Sequence, residues 1–175
     1  MFKRTRDISI INNICLKVEE IREPVAQYYG YIRREMRQLA SATNGLPVEY
    51  MPSPFEIAKY YGVSYQFENI EGDMPSYLTR NPDIIHISNI YQEDNYEARI
   101  ICAHELGHYF LHDDQQSAMN NDCLNLYIPE ENEKEYEANV FAILVMPQIM
   151  GGEPWINFSI NKLNKRMYEK TVKKT

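Results

Sequence analysis

Apolar residues recur at helical spacing from near the start of the chain: Ile11, Cys15, Val18, Ile21, Val25, Tyr28, Ile32, Met36 and Leu39. The pattern predicts amphipathic helix, interrupted by Pro24, so two helices over about 9–22 and 24–42, or one kinked helix, fit it. Such helices must bury their stripe against the domain, a second copy or a partner, and extra core over the domain is the expectation. Neither half has the glycine turn of a helix–turn–helix DNA reader. Further on, Ser53-Pro54-Phe55-Glu56 reads as a helix start with a capping box, and Gly62 closes that helix. Val63–Phe67, Ser76–Thr79 and Ile84–Ile87 then read as strands, the last two joined by the turn sequence Arg80-Asn81-Pro82-Asp83.

Two more helices follow. Asp94-Asn95-Tyr96-Glu97 fits a capping box, and Ile100, Ile101, Ala103, Leu106, Phe110 and Leu111 form a stripe that predicts a helix from about Asn95 to His112. Gly107 is a poor helix former, and a glycine there suits close approach of another backbone or a substrate. Asn132-Glu133-Lys134-Glu135 opens the second helix, which Pro147 stops at about Met146. Helices and a few strands in this order predict an α+β fold.

The helix over 95–112 carries His104-Glu105-Leu106-Gly107-His108, an HExxH box. Residues four apart stack on one helix face, so both imidazoles reach one cation, and Glu105 lands beside it. Two neutral nitrogen ligands, a carboxylate base and an open position for water make the donor set of a zinc hydrolase. A third ligand is expected from the second helix. There Glu137 lies one turn before Val140, Phe141, Leu144 and Val145, and a carboxylate aimed into a core is costly unless a metal or another partner satisfies it. Glu137 is therefore the expected ligand; Glu135, on a face with Ala138, Ala142 and Met146, is the next candidate. His112 continues the i, i+4 series but lies about 12 Å along the axis from His104, too far for one zinc. His86 alternates with Ile85 and Ile87 and reads as a strand residue facing away from them.

The segments His104-Glu-Leu-Gly-His108-Tyr-Phe-Leu-His112 and Glu137-Ala-Asn-Val-Phe-Ala-Ile-Leu-Val-Met-Pro147 together resemble the ImmA/IrrE family of metallopeptidases. The resemblance spans roughly residues 53–147. It implies a zincin-like minimal domain with one zinc per chain on His104, His108 and Glu137, and Glu105 as general base. It also implies a substrate, since members of that family cleave helix–turn–helix repressors of mobile elements or stress loci. The small sheet would present an edge strand to an extended peptide.

Charge is unevenly distributed. Residues 1–45 carry eight basic and five acidic groups, 46–157 four and nineteen, and 158–175 six and one, for a chain total of −7. These blocks are read as an N-terminal helical extension, the metallopeptidase domain and a basic tail. An acidic body argues against direct nucleic-acid binding and suits a basic protein partner such as a DNA-binding repressor. No apolar run is long enough to span a membrane or form a secretion signal. The three cysteines, Cys15, Cys102 and Cys123, show no paired spacing, which points to reduced thiols in a cytoplasm.

The expected activity is that of a zinc endopeptidase acting on a specific protein. Glu105 takes a proton from water and returns it to the leaving amine, with Tyr77 and Tyr109 as candidates for a second oxyanion donor. The rival readings are a non-catalytic zinc-stabilised binding module and a toxin–antitoxin component of related fold. An intact Glu105 speaks against the first, because a structural site has no need of a base.

Overall fold

The computed structural model describes residues 2–40, 52–72, 74–93, 95–113, 116–118 and 133–146. Their elements run α1 (Phe2–Ala40), α2 (Pro54–Tyr60), β1 (Ser64–Glu68), β2 (Ser76–Thr79), β3 (Ile84–Ser88), α3 (Tyr96–Leu111), β4 (Gln116–Ala118) and α4 (Glu133–Val145). The expected domain boundaries after residues 45 and 157, the basic tail, Asp94, Cys123 and Pro147 lie outside the described residues.

The N-terminal segment is one helix that continues through Pro24. The proline removes one backbone donor, but the stripe stays in phase across it. Ile14, Val18, Ile21 and Val25 are all buried in the main core, which outweighs the local break. α1 packs against α2 and α4: the Tyr61 hydroxyl donates to Ile21 O at 2.8 Å, and Arg22 donates to Leu144 O at 3.4 Å. The Ile14–Val25 stripe of α1 is therefore part of the core.

α2 starts as its sequence requires. Glu56 N–H donates to Ser53 Oγ at 3.2 Å, Ser53 N–H donates to Glu56 Oε2 at 2.9 Å, and Pro54 stands at the first position. Gly62, with φ +73°, then turns the chain into β1. The sheet order is β1-β3-β2-β4, with β1 parallel to β3 and the other two pairings antiparallel. β4, only three residues long, gave no periodic signal in the sequence.

Alternation divides the sheet's two faces. Leu78, Ile85 and Ile87 enter the core, while Tyr77 and His86 stack on the other face with ring centroids 4.2 Å apart. There Glu68 accepts from the Tyr77 hydroxyl at 2.6 Å and lies 3.1 Å from His86 Nδ1. The Tyr77 hydrogen bond holds the Glu68 carboxyl below its ordinary value. His86 thus belongs to a polar network on the sheet.

α3 is the centre of the molecule. Every residue from Ile100 to His108 is buried, because the sheet, α2 and α4 all pack on this helix. At its start, Asn95 stands at the cap position without a side-chain cap bond. Its end is tied to the β2–β3 turn: Arg80 donates to Tyr109 O at 3.0 Å and His112 O at 2.9 Å, with its guanidinium 4.5 Å from the Tyr109 ring centroid.

Candidate active site

Two helices build the site. His104 and His108 stand one turn apart on α3, with Nε2 atoms 3.1 Å from each other. α4 crosses α3 at Gly107, and from its first turns Glu135 places Oε2 at 3.2 Å from His104 Nε2 and Oε1 at 3.1 Å from His108 Nε2. All three residues are buried, and among the described residues they form the one cluster able to hold a metal ion. The edges of a tetrahedron around an ion with bonds of 2.0–2.1 Å measure about 3.3 Å, close to these separations. Two imidazole nitrogens and a carboxylate are also the donor set that zinc takes. The residues present fit a resident metal.

Glu137 is not in this cluster, which corrects the expectation from helical phase. Its Oε2 lies 2.8 Å from His112 Nε2, and its side chain is 25% exposed against 11% for Glu135. The face of α4 turned toward α3 is the one with Ala138 and Ala142, whose small side chains allow close approach. The bulky face that Glu137 was matched to packs away from the two histidines: Phe141 stacks on Phe110 near the end of α3 with centroids 5.9 Å apart, and Val140 and Val145 join the core that includes α1. Taking the most apolar face of α4 as the face toward the metal pointed to Glu137, whereas the carboxylate brought to the two histidines is Glu135. The resemblance implied Glu137 as well, separately from that argument.

Around the cluster lie residues that the sequence reading passed over. His104 Nδ1 donates to Asn139 Oδ1 at 2.8 Å, which leaves Nε2 with its lone pair toward the cluster. Asn139 follows Glu135 by four residues, so helical spacing already placed both on one face. Ser76, buried on β2, donates from Oγ to Glu105 Oε1 at 2.7 Å. Nothing in the sequence pattern linked a strand serine to that carboxylate. His112, at the end of α3, lies 3.0 Å from His108 through the two Nδ1 atoms.

Electrostatics follow from this packing. Burial is the largest effect on His104 and disfavours its charged form, but the Glu135 hydrogen bond, the Glu105 and Glu135 charges and the Asn139 hydrogen bond together outweigh it, so the pKa is raised. Burial is likewise the largest effect on Glu135 and disfavours its charge, but the hydrogen bonds and charges of His104 and His108 together outweigh it and hold the carboxyl well below the carboxylate range. Glu105 is fully buried beside His104. On the same helix, burial pushes the Cys102 thiol well above its ordinary value, as expected of an inert core cysteine. Of the two tyrosine candidates, Tyr77 is engaged by Glu68 on the far face of the sheet, and Tyr109 lies against Arg80.

No helix among the described residues is long and apolar enough to cross a membrane. Compared with known proteins, the chain matches no curated protein and no solved structure. Residues 66–150 match a peptidase family described as the IrrE N-terminal-like domain. That segment holds the HExxH helix, Ser76 on β2 and the carboxylate-bearing helix α4, so the match and the buried His104–His108–Glu135 cluster coincide. Residues 66–150 are therefore similar to the IrrE N-terminal-like peptidase domain, which supports the resemblance to the ImmA/IrrE metallopeptidases carried by the two motifs.

Proposed function

We propose that the protein is a zinc-dependent endopeptidase that hydrolyses one peptide bond in a specific protein, a helix–turn–helix repressor of the same mobile element or stress locus. The observation that carries the catalytic part is the placement of Glu105. It is a buried carboxylate next to a metal ligand, aligned by the Ser76 hydroxyl at 2.7 Å. A site that only braced the fold would have no need of an oriented base in its interior.

His104, His108 and Glu135 hold the metal, which when bound supplies Lewis-acid polarisation of water and of the scissile carbonyl. Glu105 accepts the proton of the attacking water and delivers it to the leaving amine. Ser76 keeps the Glu105 carboxylate from rotating away, and Asn139 keeps His104 Nε2 turned to the cluster. β4, one of the two outer strands of the sheet among the described residues, adjoins the strand that carries Ser76. An extended substrate segment pairs there through its main chain. The acidic body of the chain favours a basic partner, and DNA-binding repressors have that character. The protein acts in the cytoplasm, where such a repressor resides.

The test is incubation of the zinc-loaded protein with the repressor encoded beside it, with Glu105→Gln in parallel. Wild type is expected to produce one cleavage and the variant none, with zinc retained. Cleavage by Glu105→Gln at the wild-type rate would sink the mechanism, and an intact repressor after long incubation with wild type would sink the substrate.

A further inference from the structure

Behind the cluster, the residue first expected to bind the metal is placed to do something else. His108 Nδ1 faces His112 Nδ1 at 3.0 Å, and His112 Nε2 faces Glu137 Oε2 at 2.8 Å. A contact between two imidazole nitrogens needs one proton, carried by one ring or the other. The carboxylate decides which. It accepts, so His112 donates from Nε2–H. A neutral His112 then has only a lone pair at Nδ1, and the proton between the rings belongs to His108 Nδ1. With its proton on Nδ1, His108 presents a bare Nε2 to His104 and Glu135.

We infer that Glu137 and His112 are positioning residues that lock His108 into its metal-binding tautomer. His104 is set directly by Asn139, whereas His108 is set at one remove, through a second histidine and then a carboxylate. The reverse arrangement would put the His108 proton on Nε2, pointing at the cluster, and turn a bare His112 Nε2 toward a carboxylate oxygen. The second contact would be repulsive, and the first would fill the Nε2 lone pair that a metal needs. The chain geometry supports the assignment. His112 leaves the helix in an extended conformation, with φ −129° and ψ 144°, and its carbonyl is held by Arg80 at 2.9 Å. The ring is thereby set between His108 and α4. Glu137 reaches it because it stands two residues after Glu135 and so points off the metal-facing side of α4.

This inference rests on the metal reading above, and its test separates the two. The ring nitrogens of the metal-free protein are observed by long-range proton–nitrogen correlation in mildly alkaline buffer. Zinc affinity is measured by competition with a chromophoric chelator for wild type, Glu137→Ala and His112→Phe, with circular dichroism to establish folding. The expected result is His108 protonated at Nδ1 and His112 at Nε2. Glu137→Ala should give His108 a mixture of tautomers, and both variants should bind zinc roughly ten- to a hundredfold more weakly. A wild-type His108 protonated at Nε2 overturns the relay and needs no variant to fold. Undiminished zinc affinity in both folded variants also overturns it while leaving the metal site intact. Failure of the wild type to bind zinc at all overturns the metal reading and the relay together.

Discussion

Gly107 and Ala138 are in backbone contact where α3 crosses α4: a Cβ added to Gly107 would lie 2.8 Å from Ala138 Cα and 3.0 Å from its carbonyl oxygen. This closeness lets Glu135, less than one turn before Ala138, reach both histidines. Since the obstructing atoms are backbone, Gly107→Ala forces the helices apart. The small gain in helix propensity does not compensate. The variant is expected to lose about 1–3 kcal/mol of stability by denaturant titration and to bind zinc more weakly. Unchanged zinc affinity with full stability would show that the crossing is not what positions Glu135.

Metal content of single alanine variants distinguishes the carboxylates. Glu135→Ala removes a ligand and is expected to leave the purified protein without stoichiometric zinc. Glu137→Ala should keep zinc at millimolar metal and lose it more readily to a chelator. A Glu137→Ala protein devoid of metal beside a fully loaded Glu135→Ala would reverse the assignment.

Ser76→Ala tests the alignment of the base. The hydroxyl is a buried donor to a buried carboxylate, so its removal should cost about 1–3 kcal/mol and lower kcat more than it raises KM. Zinc content should stay at one per chain, because Ser76 touches Glu105 and not the cluster.

Acidity acts on the site in two opposed ways. Zinc binds neutral imidazole, so protons compete with it, and the raised pKa of His104 moves that competition to higher pH than for an ordinary histidine near 6.5. Zinc affinity is therefore expected to fall on acidification already above that value, read by chelator competition across pH. Without metal the same groups stabilise the fold as an ion pair. The depressed Glu135 contributes above its unfolded value near 4.5 and loses this as pH falls through its folded value. The raised His104 contributes below 6.5 and loses this as pH rises through its folded value. The pair is thus at full strength between 4.5 and 6.5, and the Tm of chelator-treated protein should peak in that window.

Removing residues 1–40 would uncover the surface beneath Ile14, Val18, Ile21 and Val25. The truncated chain is expected to be poorly soluble and to lose its cooperative thermal transition. Val25→Ala, a milder change at a fully buried position, should cost about 1–3 kcal/mol. A stable, zinc-binding truncated protein would mean that α1 is a docking appendage and not core.

Local patterns determined what is local. The HExxH spacing placed two imidazoles on one face of a helix, the capping box fixed where α2 begins, and alternation marked three of the four strands, each by the geometry of a single element. The resemblance to a peptidase family rested on the same short-range signals, and it holds for the segment that carries them. Tertiary packing decided the rest. Helical phase shows which residues of α4 share a face, but only the crossing at Gly107 shows which face meets α3. It is the small-residue face, and it brings Glu135 and Asn139 with it, leaving Glu137 to His112. Whether Pro24 breaks α1 depended likewise on the core on both sides of it. That Ser76 would meet Glu105 depended on which face of β2 lies against α3. A periodic sequence encodes the faces of an element; which neighbour each face meets is set by how closely two backbones can approach.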